Sequence, residues 1–261
     1  MNRKEKEIVA LLTRMRDEYG VVGLKAEFES EGTRFEELLR LKDIVSRAGV
    51  HLTLKIGGPE DVWGIHQARR LGVSGIVAPM IESAYSLSKF IDAINKHLPE
   101  DEKEDVLVAM MIETVKAYED LNAMLKLGLT YGIKHLTVGR VDLAGSLGLT
   151  RKDIDSPRMA ELVTGIFRDA REHGFNTTLG GSIESGSQPL ITNLVANNLL
   201  DRFETRKVMF DAKRGLGSFD DAVRSAHQLE LLWLENKSRM HTHAAEEDAP
   251  RIVMLRKRVQ Q

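Results

Sequence analysis

LTVGRVDLAGSLGL, residues 136–149, starts as a buried strand and ends in charge. Leu136 and Val138 with their apolar neighbours suit a sheet core, yet Arg140 and Asp142 follow at once, before a Gly-rich turn at Ala144 and Gly145. A carboxylate in that position must be paired, hydrogen-bonded or bound to a metal, because an unpaired buried charge costs several kcal/mol or neutralises itself. The same event recurs along the chain, and the recurrence decides the fold.

Working outward, short runs rich in Val, Ile and Leu alternate with amphipathic segments, the pattern of parallel strands covered by helices. Strands are expected at VVGLKAEFE (21–29), HLTLKIGG (51–58), GIVAPMI (75–81), VLVAMMIE (106–113), HLTVGRVDL (135–143), FNTTLGGS (175–182) and FETRKVMFD (203–211). Between them RFEELLRLKDIVSRAG stops at Gly49, a C-terminal breaker, and SPRMAELVTGIFRDAREHG opens on Ser156 and Pro157 as N-cap and first-turn residue. Strand-plus-helix units of this size in 261 residues fit an α/β fold, a (β/α)8 TIM-type barrel. A doubly wound sheet fits less well, because no Gly-rich fingerprint follows the first strand. The count falls one strand short of eight, so the first strand is either absent or modified. Residues 1–236 read as the barrel domain. Residues 237–261, broken by Pro250, read as a polar C-terminal tail or oligomerisation arm, a helical extension of the barrel.

The net charge of -2 supplies no concentrated positive field, which argues against nucleic acid or an anionic membrane surface as partner and for a small ligand. The absence of cysteine removes disulfides, thiolate nucleophiles and zinc ribbons and makes a cytoplasmic location the simplest expectation. The charged, helix-periodic opening MNRKEKEIVALLTRMRDEYG is not a signal peptide, and no apolar run approaches the ~20 residues of a spanning helix.

The strand ends are polar where a barrel keeps its site. They carry Glu27 and Glu29, Lys55, Glu82 beyond Pro79, Glu113, Arg140 with Asp142, and Ser182 after Gly180 and Gly181. Carboxylates and cations gathered on one rim suit a divalent cation and an anionic substrate. Glu113 and Asp142 are the metal candidates, with Mg2+ or Mn2+ as the ion; equally, Glu113 could cap the helix near Thr114 and Asp142 could pair with Arg140. Lys55 could neutralise a substrate carboxylate or enolate, form a Schiff base, or sit in an ion pair with Glu27 or Glu29. Lys25 reads as structural. The Gly180–Ser182 turn could offer amide groups to an anion or be only a tight turn. His51 and His135 fall at strand starts, His66, His97, His173 and His227 on helix surfaces or loops, and His241 and His243 in the tail. Zinc is not expected without paired ligands in the strands.

VAPMIESAYSLSKFIDA (77–93), AMMIETVKAYEDL (109–121) and VGRVDLAGSLGL (138–149), in that order, resemble the HpcH/HpaI aldolase and citrate lyase β-subunit group of the phosphoenolpyruvate/pyruvate barrels over residues 20–211. The resemblance implies that Glu113 and Asp142 ligate the metal, that a 2-oxo acid or acyl thioester forms an enolate there, and that the chain is a homo-oligomer whose segment after Gly217 packs on a neighbour. Two positions depart from the family. Glu27-Phe28-Glu29-Ser30-Glu31-Gly32 lacks the family's histidine, and Lys55 stands where an arginine is usual. The expected chemistry is therefore a metal-dependent carbon–carbon lyase or synthase. Lys55 neutralises charge in it, Glu29, Glu82 or a water takes the proton, and Arg140 with Gly180, Gly181 and Ser182 lines the anion pocket. The competing readings are a Schiff-base aldolase using Lys55 or Lys25, and a barrel that has lost turnover and serves as a binding or assembly subunit.

Overall fold

A computed structural model describes residues 1–259 as a closed barrel of eight strands in the order β1 to β8. The strands are β1 (Val21–Glu27), β2 (His51–Lys55), β3 (Gly75–Ala78), β4 (Leu107–Ile112), β5 (His135–Gly139), β6 (Asn176–Gly180), β7 (Arg202–Glu204) and β8 (Val208–Asp211). Neighbours from β1 to β7 pair in parallel, whereas β8 runs antiparallel to both β7 and β1. The strand that closes the barrel does not come from the N-terminus, where only a helix precedes β1 and the expected first strand is absent. It is the second half of FETRKVMFD, which folds back as a hairpin. That segment contains no Gly, Asn or Pro to announce a turn. Thr205 makes the turn instead, its N–H donating to the Val208 carbonyl at 2.9 Å and its hydroxyl accepting from the Val208 N–H at 3.1 Å.

The first helix, Arg3–Tyr19, lies outside the barrel between an Asn2–Glu5 capping box and Gly20 in the left-handed region. It packs on the final helix, Phe219–Val259, with Asn2 donating to Asn236 at 2.7 Å. That final helix continues through Pro250, so the break expected there does not form. The side chains of His241 and His243 in the tail, and Gln260 and Gln261 altogether, lie outside what the structure describes. Among the described residues no helix is long and apolar enough to cross a membrane.

Strand alternation sends one set of side chains to the helices and the other into the lumen. The outward set joins the main core; Phe203 and Phe210, for example, stack with ring centroids 4.9 Å apart. The lumen is divided. On β3 and β4 it is apolar, with Val77, Ala109 and Met111 forming a small separate cluster. On β1, β2 and β7 it carries Lys25, Glu27, Lys55 and Glu204, all buried. The parallel strands also end earlier than expected, β5 at Gly139 rather than residue 143. Arg140 and Asp142 thus belong to the first turn of a helix, Arg140–Ser146, across the barrel mouth.

Candidate active site

A cavity of about 320 Å3 opens at the C-terminal ends of the parallel strands. Its wall includes Glu27, Glu29, Lys55, Asp142, Gly181 and Ser182 from the rim anticipated above. A cavity of about 480 Å3 lies at the opposite end, lined by His51, Thr53, His135 and Arg202. It gathers fewer convergent charges and sits on the face that in such barrels serves stability rather than chemistry.

Two lysines on adjacent strands organise the ionic half of the mouth. Lys25 lies 2.6 Å from Glu204 and 2.9 Å from Glu27, and Ser30 donates to the second oxygen of Glu27. Burial draws the Lys25 ammonium down, but Glu204 and Glu27 outweigh it and hold it above the ordinary lysine value. Burial likewise pushes Glu27 up, and Lys25 with Ser30 reverses that and holds it at about 2. Lys55, one strand on, pairs with Glu29 at 3.0 Å, so the ion-pair alternative for this residue is realised. Glu113 is 3.8 Å away, too far for a hydrogen bond. Despite burial, Glu113, Glu27 and Glu29 together keep the Lys55 ammonium raised.

Glu113 follows β4 and is fully buried, yet only one of its oxygens is satisfied. Oε1 accepts the Met80 N–H at 2.9 Å; Oε2 has no hydrogen-bond partner. Burial pushes this carboxyl up, Lys55 and the Met80 amide oppose that, and Asp142 and Glu29 add to it. The cradle of Oε2 depends on Gly139, where a Cβ would come within 2.7 Å of that oxygen. Asp142 is exposed and makes no hydrogen bond or ion pair among the described residues; in particular it does not pair with Arg140. The two metal candidates are therefore within electrostatic reach of each other. Among the described residues no group of three His, Cys, Asp or Glu side chains forms a ready-made cage. Water and substrate oxygens would have to complete any ion's shell.

Arg140 does something other than line an anion pocket. Its fully buried guanidinium reaches Asp155 at 2.7 Å, the Gly181 carbonyl at 2.8 Å, Ser187 at 2.9 Å and the Gly180 and Ser182 carbonyls at 3.3 Å. It is a clamp that fixes the loop after β6, and it is not among the residues lining the cavity. The clamp holds Gly181 and Ser182 at φ 88° and 51°, and a Cβ at Gly181 would meet the Arg140 backbone nitrogen at 2.6 Å, so only glycine fits. Gly180 sits behind the wall, leaving room for Glu204. Glu82 is exposed on the loop after β3 and does not reach the cavity wall.

Three side chains the sequence reading passed over complete the far wall. Arg206 stands on the β7–β8 turn and is held by Glu31 at 3.2 Å, and His227 and Glu230 come from the final helix. Altogether the lining holds five carboxylates, Glu27, Glu29, Asp142, Glu184 and Glu230, against four permanent cations, Lys25, Lys55, Arg151 and Arg206. With Glu113 and Glu204 just behind, the mouth is short of positive charge.

A sequence profile described as HpcH/HpaI aldolase/citrate lyase matches residues 33–178. No curated protein sequence matches the chain. Among solved structures, an HpcH/HpaI aldolase from Desulfitobacterium hafniense DCB-2 superposes with a TM-score of 0.60 at 17% identity, covering 74% of this chain and 80% of that one. The citrate synthase SbnG gives 0.61 at 16%, covering 89% and 99%. A malate synthase of Haloferax volcanii, solved as a lead(II) complex, gives 0.54 at 15%, covering 74% and 62%. At such identities these likenesses establish the barrel and nothing finer.

Proposed function

The chain belongs to the HpcH/HpaI aldolase/citrate lyase family, a family of lyases and synthases, and on that premise we propose that it is a divalent-metal-dependent carbon–carbon lyase or synthase acting through the enolate of a small 2-oxo acid or acyl thioester. The observation that carries the reading is the buried Oε2 of Glu113, which has no hydrogen bond and only the Lys55 ammonium 3.8 Å away, at a mouth rich in carboxylates. A buried carboxylate oxygen without a hydrogen bond is stabilised by a further cation, and a cation would also offset the excess of carboxylates that an anionic substrate meets there. Glu113 and Asp142 would hold Mg2+ or Mn2+. Bound there, the ion would act as a Lewis acid, stabilising negative charge that develops on the substrate's oxo oxygen.

The chain's own residues divide the remaining work. Lys55, kept charged by its carboxylate neighbours, neutralises the enolate as a point charge and not as a bidentate fork. Glu29 hydrogen-bonds Lys55 and faces the cavity, which makes it a better proton acceptor at the enolate carbon than Glu82. The Gly181–Ser182 turn borders the substrate, with Gly180 and Arg140 as its support. A Schiff base on Lys55 or Lys25 is disfavoured, because both amines are held protonated and a protonated amine is no nucleophile. Exposed Leu231 and Leu234, 57% and 49% accessible, support a homo-oligomer in which the final helix packs on a neighbour. A cytoplasmic location fits the cysteine-free chain.

Isothermal titration with Mg2+ and oxalate, paired with deuterium exchange into pyruvate, tests the proposal. Glu113→Gln and Asp142→Asn should each weaken Mg2+–oxalate binding by about tenfold or more, a loss of ~1.4 kcal/mol, and suppress exchange. Unchanged affinity and exchange in both variants would overturn it. Binding of Mg2+ without exchange in the unaltered chain would favour the barrel that has lost turnover, and borohydride trapping of substrate would favour the imine.

A further inference from the structure

Aldol cleavage needs a second proton carrier that the residues assigned so far do not supply. A proton must leave the hydroxyl at the end of the substrate remote from the enolate, whereas Lys55, Glu29, Glu113 and Asp142 belong to the β1–β5 side of the mouth. The wall is completed by the β7–β8 turn, where Arg206 is held by Glu31 of the loop after β1, and by the final helix, and there His227 is the one histidine among the described lining residues. It lies on the exposed side of its helix, with Glu230 one turn further on the same face and also on the cavity wall. The buried side of that helix, Ala222, Val223, Ala226 and Leu229, is fixed in the core, so the imidazole is carried on a rigid element.

We propose that His227 is the catalytic base and acid for the substrate's distal oxygen, with Glu230 as its positioning residue; the inference rests on the enolate reading above. An ordinary imidazole changes charge between about pH 5 and 8, where arginine and lysine stay protonated, so it suits a proton that must be both taken and returned. The cavity of about 320 Å3 accommodates a small molecule spanning the two walls. In the cleavage direction the imidazole takes the hydroxyl proton and the O–H electron pair becomes the new C=O bond. The carbon–carbon bond breaks and its electrons pass into the enolate. The imidazolium then releases its proton to solvent, and the enolate carbon takes one from solvent by way of Glu29. The charged groups that share this part of the cavity lining with His227 are Glu230 on its own helix, Arg206 from the β7–β8 turn, Glu184 from the loop after β6, and Arg151 and Asp142 after β5, with Lys207 near enough to feel the Glu230 charge.

The test compares two reactions through the same enolate, with Mg2+ present. Cleavage of 4-hydroxy-2-oxopentanoate requires removal of a hydroxyl proton; decarboxylation of oxaloacetate does not. His227→Gln should slow cleavage by about 100-fold or more while decarboxylation falls by no more than about threefold. The acidic limb of the cleavage profile in kcat/KM against pH should disappear. Glu230→Gln should give a smaller loss of kcat on cleavage with KM and decarboxylation little changed, and Glu230→Asp should restore part of it. Equal losses on both substrates, or no loss on either, would overturn the role of His227. The decarboxylation rate of the unaltered chain tests the enolate reading itself, so the two failures are distinguishable. His227 is exposed, and circular dichroism of the variant should match the unaltered chain.

Discussion

Two lysine–glutamate clusters stand one strand apart in this barrel, built from the same residue types and finished differently. Around Lys25 both carboxylates are held: one ammonium bridges Glu27 and Glu204, and Ser30 donates to the remaining oxygen of Glu27. Around Lys55 the cluster is looser, because Glu29 takes the ammonium at 3.0 Å and Glu113 Oε2, 3.8 Å from it, has no hydrogen bond. The closed cluster joins β1 to β7 across the lumen and behaves as a structural pin. The open one leaves a buried carboxylate oxygen without a hydrogen bond beside the cavity, the feature on which the proposed metal role rests.

The sharpest way to break this contrast is to remove each lysine in turn. Lys25→Met leaves Glu27 and Glu204 buried together without a cation, and urea denaturation should show a loss of about 3–5 kcal/mol. Lys55→Met should cost only about 1 kcal/mol, because Glu29, with 31% of its side chain accessible, can turn to water. Glu113, already pushed up by burial, can take a proton. Pyruvate exchange should instead be the property lost. Equal destabilisation by the two substitutions would sink the distinction between pin and site.

Gly139→Ala probes the surroundings of Glu113 Oε2 directly. A Cβ there meets Glu113 Oε2 and the Met111 Cε, both at 2.7 Å, and both are ends of flexible side chains. Stability should therefore fall by only about 1–2 kcal/mol, while Mg2+–oxalate binding should suffer as much as in a direct ligand variant. Retained affinity would mean that Oε2 is not where the ion sits.

The same contrast explains how far sequence could be read. The seven parallel strands and their covering helices were legible because apolar runs, the Gly49 stop and the Ser156–Pro157 start all point the same way. The eighth strand was not, since a turn made by the Thr205 hydroxyl leaves no Gly or Pro signature. Glu113 stood out because a carboxylate ending an apolar run is costly wherever it goes. Arg140 misled for the same reason: its partners, Asp155, Gly181 and Ser187, lie 15, 41 and 47 residues away, and no local pattern announces them. His227 and Glu230 show one usable signal, an i, i+3 pair on the polar face of an amphipathic helix. That signal is shared by any solvated surface, so only the fold distinguishes it.

Glu113→Gln should separate the clusters by pH. A carboxyl raised by burial penalises the folded state above its folded pKa, and the penalty fades as pH falls towards the unfolded value of 4.5. Without metal, the variant should be as stable as the unaltered chain near neutrality or up to about 1 kcal/mol more stable, the advantage vanishing near pH 4.5. Glu27 runs the other way. Held at about 2, it lends stability that is full above 4.5 and is lost as pH falls towards 2. Both chains should therefore share the same acid limb, and a difference confined to that limb would assign the open carboxylate wrongly.

The smallest expected effect is Asp142→Asn. Asp142 is exposed and unpaired among the described residues, so its substitution should change stability by less than about 0.5 kcal/mol. Because Asp142 also raises Glu113, the variant should relieve part of the burial penalty and shift the crossover seen with Glu113→Gln to lower pH. A double-mutant cycle between positions 113 and 142 measures that coupling without metal and again with Mg2+. Repulsion should dominate in the first case, and with the ion bound the sign should reverse, since two carboxylates that share a cation help each other. A coupling of the same sign in both conditions would leave Glu113 and Asp142 as neighbours with no ion in common.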